Sequence, residues 1–284
     1  MTARVSLSVL VDNNTLIDRY FLGEPGLSIL IETGDRRILF DTGYSDAFIR
    51  NAETMGIDLL DLDYVVLSHG HLDHTWGLVH LVQKLAGAEI HSLSHKKPVL
   101  VAHPYCFYPK PSPPLPNIGS LIPEEEAGRQ FSLSLSAKPF WLTPDLVFLG
   151  EIPRRFGFEH TAPGKRRIVM PDGQVEQDQL LDDSALACRT PEGLVIITGC
   201  SHAGICNITE YAQEVCGERR IIDIIGGFHL LKPSPEQMKG TCTYLRDLAL
   251  KAVHACHCTS LSSKIILAEF CPILETGVGT NIEW

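Results

Sequence analysis

No run of apolar residues in the 284-residue chain approaches the roughly 20 that a helix needs to cross a bilayer, so no membrane partner is expected. Positive charge is not in excess either: 24 Lys and Arg stand against 34 Asp and Glu, a formal net charge of −10 with neutral histidine. A phosphate backbone rewards a basic surface, so nucleic acid is not an expected partner. Cys-x-x-Cys is absent, and with it the ligand spacing of the common iron–sulfur clusters. The nine cysteines are an odd number, which excludes full pairing within the chain. Eight of them follow residue 180, and the closest pair is Cys256-His257-Cys258. They are expected to be buried, reduced thiols. The N-terminal Met1-Thr-Ala-Arg-Val-Ser-Leu-Ser-Val-Leu alternates apolar with polar residues and reads as a strand, not a signal peptide. A cytoplasmic location is expected.

What is present is a globular composition, 44% apolar and 20% charged. The reading is one domain over residues 1–284, with a proline-rich insertion near 98–123. Strands are expected at Val5–Val11, Leu27–Glu32, Arg37–Asp41 and Tyr64–Ser68. A helix is expected over Asp46–Met55, with Ser45 as its cap and Gly56 as its stop. Leu78, Leu81, Val82 and Leu85 mark a second helix face, closed by Gly87. Eight prolines from Pro98 to Pro123 predict irregular, extended chain. Such a segment serves as a lid, a binding loop or an oligomer contact, so a homo-oligomer is allowed for. Phe131–Arg155 and Ile168–Leu181 supply further strands and loops.

The second half repeats the first. Residues 28–43 align without a gap on residues 184–199, and both segments read as hairpins ending in Thr-Gly. A helix pattern follows each; in the second copy Ile208, Tyr211, Ala212 and Val215 mark its face and Gly217 stops it. A strand ending at a histidine follows each helix, Asp63–His69 and Asp223–His229. A duplicated β-β-α-β unit predicts an α/β protein with an αββα sandwich, two mixed sheets with helices outside. The tail adds a helix from Ser234-Pro235 to Leu248, a strand at Ala252–His257 and a helix at Ser262–Phe270.

The densest chemistry lies in Ser68-His69-Gly70-His71-Leu72-Asp73-His74, three histidines and an aspartate within six residues at a strand end. Neutral imidazole and carboxylate are the ligands that zinc, iron and manganese take in catalytic sites. His69 and His71, two apart, suit one metal; Asp73 and His74 are offset and suit a second.

This motif, preceded by Phe40-Asp41-Thr42-Gly43, resembles the metallo-β-lactamase fold superfamily. Gly150-Glu-Ile-Pro-Arg154, Gly199-Cys-Ser-His-Ala-Gly204, Gly226-Gly-Phe-His-Leu230 and Cys256-His-Cys-Thr259 narrow the likeness. Together they resemble the branch that includes the dihydropterin–aminobenzene phosphate synthase of methanopterin biosynthesis. The resemblance implies two divalent metal ions, zinc first, with iron or manganese suited by the same ligands. It assigns His69 and His71 to one ion and Asp73 and His74 to the other. Where the family places a bridging carboxylate this chain has Cys200, with His202 two residues on; His202 is the preferred ligand there, and Cys200 can be packing. The family's isolated histidine before Ser184 is missing, and Asp182 and Asp183 stand in its place as candidate ligands. His257 matches the final ligand. Asp41 is expected to hydrogen-bond the ligand loop and orient its imidazoles.

The activity implied is that of a metal-dependent hydrolase or a phosphate-ester- or diphosphate-processing enzyme. A metal-bound hydroxide would attack a small anionic substrate. Asp73 would steer the water and His229 would be a second proton donor. In the synthase variant diphosphate leaves a pterin methyl and a carbon nucleophile replaces it. Arg154, on a proline-fixed turn, is a candidate substrate anchor. Arg155 and the run Lys165, Arg166, Arg167 read as solvated charge, and His80, His91, His95 and His103 as structural or surface groups. Two other classes stay open: a di-iron redox protein that reduces oxygen or nitric oxide, and a non-catalytic metal-binding sensor. The di-iron relatives carry a Glu where this chain has Leu72, and they need a flavin domain.

Overall fold

The computed structural model describes residues 5–160 and 164–284. They fall into two compact units, one of residues 5–136, 164–182 and 277–284, the other of residues 137–160 and 183–276.

The first unit is built on a seven-stranded mixed sheet. Val5–Val11 pairs antiparallel with Ser28–Thr33, which turns through Gly34-Asp35 into Arg36–Phe40. Gly34 takes a φ of +61°, a left-handed conformation that costs glycine nothing. Beyond this hairpin the sheet is parallel: Arg36–Phe40 pairs with Tyr64–Val66, then Val99–Ala102, then Ser132–Leu135. Asn281–Glu283 closes the other edge against Val5–Val11. Parallel neighbours need crossovers, and helices supply two of them. Ala47–Thr54 buries Ala47, Phe48 and Ala52; Leu78–Ile90 buries Leu78, Leu81, Leu85 and Ala88. Both join one core with Leu30, Leu39, Val65 and Leu100 from the sheet.

Local signals hold with small shifts. Ser45 Oγ accepts the Ala47 N–H at 3.1 Å, although the capping position itself is Asp46. Gly56, with φ +73°, follows the first helix as expected. Gly87 does not stop the second helix, which runs on to Ile90. An internal glycine costs a helix only about 1 kcal/mol, and Ala88 still has a place in the core.

The proline-rich stretch is only partly irregular. It begins with the strand Val99–Ala102, deep in the sheet, and a 3₁₀ turn at Pro104–Phe107. The remainder is tied down. Pro109 and Pro111 offer their carbonyls to the N–H groups of Val169 and Arg167. Those residues form a small hairpin, Arg167–Val169 with Val175–Gln177.

The second unit repeats the plan on a six-stranded sheet. Ala185–Thr190 and Gly193–Thr198 form the antiparallel hairpin. Helix Ile205–Cys216 follows, ended by Gly217 in the left-handed region. Ile221–Gly227 then returns parallel to Gly193–Thr198. Helix Pro235–Asp247, capped by Ser234 Oγ on the Gln237 N–H at 3.0 Å, leads to the parallel strand Ala252–Cys256. The last helix is Leu261–Leu267, capped by Ser260. Leu146–Phe148 and Phe140–Trp141 extend the sheet beyond the hairpin. This unit has its own core, with Ile196, Ile224 and Val253 from the strands and Ile208, Ala212 and Leu245 from the helices.

The fold is therefore α/β, two large mixed sheets each with its helices, and the expected duplication appears as one order of elements met twice. All nine cysteines are free and buried. No helix among the described residues is long and apolar enough to cross a membrane.

Candidate metal centre

In the first unit the strand Tyr64–Val66 gives way to Ser68-His69-Gly70-His71, and a single helical turn, Leu72–Thr75, carries Asp73 and His74. Asp41 organises this loop from the end of the neighbouring strand. Its backbone turns sharply there, with φ +58°, and its carboxylate is fully buried. One oxygen accepts the Ser68 N–H at 2.7 Å. The other takes Ser68 Oγ at 2.7 Å and His74 Nδ1 at 2.6 Å. A carboxylate only accepts, so His74 carries its proton on Nδ1 and keeps a lone pair on Nε2. That Nε2 lies 3.8 Å from Asp73 Oδ2. Ser68 Oγ, having donated to Asp41, accepts from His69 Nδ1 at 3.0 Å. His69 Nε2 is thereby the unprotonated nitrogen of its ring, and it meets His71 Nδ1 at 3.0 Å. Burial, reinforced by the Lys110 ammonium, lowers the His71 pKa to about 3 and keeps the ring neutral. Neutral imidazole is the ligand form.

Gly70 separates the two histidines. A side chain there would overlap the Cys106 carbonyl oxygen, so only glycine lets the loop pass. Its N–H donates to Asp182 Oδ2 at 2.8 Å. The other Asp182 oxygen takes the Lys110 ammonium at 3.1 Å. Asp182, a candidate ligand from the sequence, thus stands behind the loop and braces it.

In the second unit three loops meet at the strand ends. After Gly193–Thr198 come Cys200 and His202; after Ile221–Gly227 comes His229; after Ala252–Cys256 comes His257. His229 and His257 each turn through φ +51°. Cys200 is buried, and its Sγ meets His257 Nε2 at 3.2 Å, a ligand-type nitrogen. The rings of His202 and His229 lie 4.4 Å apart. The Gly227 N–H donates to the Gly199 carbonyl at 2.9 Å, and Ser201 Oγ donates to the Gly227 carbonyl at 2.6 Å. Asp183, the other candidate carboxylate, accepts the Ala203 N–H on Oδ2 at 2.8 Å. It anchors the loop of Cys200 and His202 as Asp182 anchors that of His69 and His71.

Arg154 is half-buried beyond Leu146–Phe148, while Arg155 is exposed and pairs with Glu214 at 2.5 Å. His103 accepts the Tyr105 N–H and caps a 3₁₀ turn; His80 faces Gln83, His95 faces Glu89 and His91 is exposed. These four are structural or surface groups, as expected. Lysine 110, fully buried between Asp178 and Asp182, was not legible as part of the site. A lone lysine in a proline run carries no ligand signal, and its carboxylate partners lie 68 and 72 residues away.

Imidazoles fixed by a buried carboxylate at a strand's C-terminal end in the first unit, and a thiol beside an imidazole at strand ends in the second, are donor groups of the kind that metal ions take. The chain belongs to the metallo-beta-lactamase superfamily, whose family profile matches residues 22–172. It is 31% identical over 264 residues to 7,8-dihydropterin-6-methyl-4-(beta-D-ribofuranosyl)-aminobenzene-5'-phosphate synthase of Methanocaldococcus jannaschii, covering 88% of this chain and 85% of that one. An uncharacterized protein of the same organism, MJ0448, is 28% identical over 97% of this chain and 99% of its own. Among solved structures, Tm1679, a metal-dependent hydrolase of the beta-lactamase superfamily, superposes with a TM-score of 0.81 at 29% identity, covering 98% of each chain.

Proposed function

We propose that the chain is a metal-dependent enzyme that processes a small anion bearing a phosphate or diphosphate. For two ions, His69, His71, Asp73 and His74 are the donors in the first unit, and His202 and the thiol-bearing set of Cys200 and His257 those in the second. Zinc suits this mixture of imidazole, carboxylate and thiolate best. The observation that carries the reading is the Asp41 wiring. It takes the protons of the outer nitrogens of His69 and His74, through Ser68 or directly, and so sets both rings in the tautomer whose inner nitrogen is unprotonated. Such wiring fits a cation and has no use in packing.

A bound divalent ion would acidify a water molecule and neutralise phosphate oxygens. The chain's own groups do the rest. Asp73, 27% exposed at its side chain, orients the attacking nucleophile. His229, beside His202, delivers a proton to the leaving oxygen. Arg154 holds a second anionic end of the substrate. Whether water or a carbon nucleophile attacks decides between a hydrolase and a synthase. The hydrolase Tm1679 supports the first outcome and the methanogen synthase the second. The test is elemental analysis of protein purified without added metal. A screen of phosphodiesters, thioesters, lactones and pterin diphosphates with metal restored then follows, reading both released diphosphate and joined product. Protein that holds only iron, with a visible absorption band and no turnover in the screen, would point instead to redox chemistry.

A further inference from the structure

We infer that Lys110 is a positioning residue for the metal-binding loop: through Asp182 it fixes the Gly70 amide, and so the spacing of His69 and His71. The inference rests on the metal-enzyme reading above.

The Lys110 side chain is fully buried, a costly place for an ammonium unless it is paired. It meets Asp182 Oδ1 at 3.1 Å and Asp178 Oδ2 at 3.2 Å. Asp182 points its second oxygen at the Gly70 N–H, 2.8 Å away. The lysine also touches the loop by shape, since its Cε lies 2.8 Å from where a Gly70 Cβ would sit. Charge and stem therefore act on one residue, the glycine between two ligands.

Lys110 is itself held on every side. Its N–H donates to Asn117 Oδ1 at 2.8 Å and its carbonyl accepts the Ile118 N–H at 2.9 Å. Pro109 and Pro111 fix φ on both flanks, and their carbonyls take the Val169 and Arg167 N–H groups at 2.9 Å. Asp178 is pinned by the Leu180 N–H on Oδ1 at 2.8 Å. The proline-rich insertion is thus the mount of the lysine, which gives that segment a purpose the sequence left open between lid, binding loop and oligomer contact.

A pair serving packing alone and a pair positioning ligands differ in one measurable way. Loss of the second kind weakens metal binding beyond any loss of stability. Lys110→Met keeps the stem and removes the charge. Zinc affinity, read by competition with a chromogenic chelator, should fall about 10- to 100-fold, the range for partners that orient ligands. Leu85→Ala, a core truncation in the same unit, is the control and should keep zinc affinity within about twofold at a comparable loss of melting temperature. Should Lys110→Met not fold, Lys110→Gln, which retains a donor for Asp182, is read the same way. Amide exchange of the metal-free wild type by NMR gives a second readout: the Gly70 N–H should be among the slow protons. Wild-type zinc affinity in the lysine variants, or Gly70 exchange at the rate of an open loop, overturns the inference. Wild-type protein that binds no zinc would instead overturn the metal reading, and Gly70 exchange would then decide the clamp by itself.

Discussion

Asp41 is one carboxylate that serves three donors, and its two imidazole chains explain why an aspartate is needed there. Asparagine would turn one acceptor into a donor facing Ser68 or His74, and His74 would have to exchange its tautomer. Asp41→Asn should weaken metal binding about 10- to 100-fold, measured by chelator competition. Unchanged affinity would remove the wiring argument. Asp73 stands at the open side of the loop, so Asp73→Ala should abolish turnover while the metal-free protein melts within about 2 °C of wild type. Normal turnover in that variant would end its assigned role. At the second sheet, Cys200→Ser and His202→Ala should both lose metal, because the Cys200 thiol lies on the His257 ring nitrogen and His202 is a proposed donor in its own right. The sequence alone favoured His202 over Cys200, since a cysteine among nine gives no sign of which are exposed to a ligand. His-x-His-x-Asp-His was legible because four donors so spaced have few other uses. Lys110 and the bracing roles of Asp182 and Asp183 were not, because their partners lie 72, 112 and 20 residues away.

Helix Ile205–Cys216 shows at the element scale how a distant residue sets up a ligand loop. It starts directly after the loop of Cys200 and His202, at Gly204 with φ +99° and without a capping side chain of its own. Glu159, on a separate 3₁₀ turn, takes the post. Its oxygens accept the Cys206 and Asn207 N–H groups at 2.8 and 2.9 Å. Burial raises the Glu159 pKa above its ordinary value of 4.5, outweighing those two bonds. The native state then holds this proton at pH values where the unfolded chain has released it. Its contribution to stability is complete below about 4.3 and is lost as pH rises through the raised value. The stability of wild type minus that of Glu159→Gln should therefore shrink as pH rises above the ordinary glutamate value, by urea unfolding at each pH. A difference that grows with pH would contradict the assignment. Hairpins and helix faces were legible because periodicity and Thr-Gly punctuation are local. The cap was not: Glu159 and Cys206 are 47 residues apart. Gly87 misled for the opposite reason, a local stop signal overruled by the burial of Ala88.

At the scale of the whole chain each copy of the repeat carries its own share of the proposed donors. The first unit offers four of the proposed donors, His69, His71, Asp73 and His74, and the second three, Cys200, His202 and His257. One strand end in the first copy, that of Tyr64–Val66, and two in the second, those of Gly193–Thr198 and Ala252–Cys256, carry them, which is where open α/β sheets hold their ligands. The duplicated order was readable in the 156-residue offset, and so was the proposed split of His69 and His71 from Asp73 and His74; the role of Cys200 was not, because spacing along the chain does not tell a ligand thiol from a packed one. Metal that binds the folded chain and not the unfolded one must stabilise it by mass action. Free metal at a hundred times its dissociation constant adds about 2.7 kcal/mol per site. For a unit of this size that is roughly 5–10 °C in melting temperature. Elemental analysis should therefore find close to two ions per chain. Stripping by a chelator should lower the melting temperature by at least that amount, and zinc added back should restore it together with activity. Fewer than one ion per chain, with melting and turnover indifferent to chelator, would rule out the dinuclear reading. One ion per chain lost from Cys200→Ser but kept in His202→Ala would leave the thiol-bearing set as the working site.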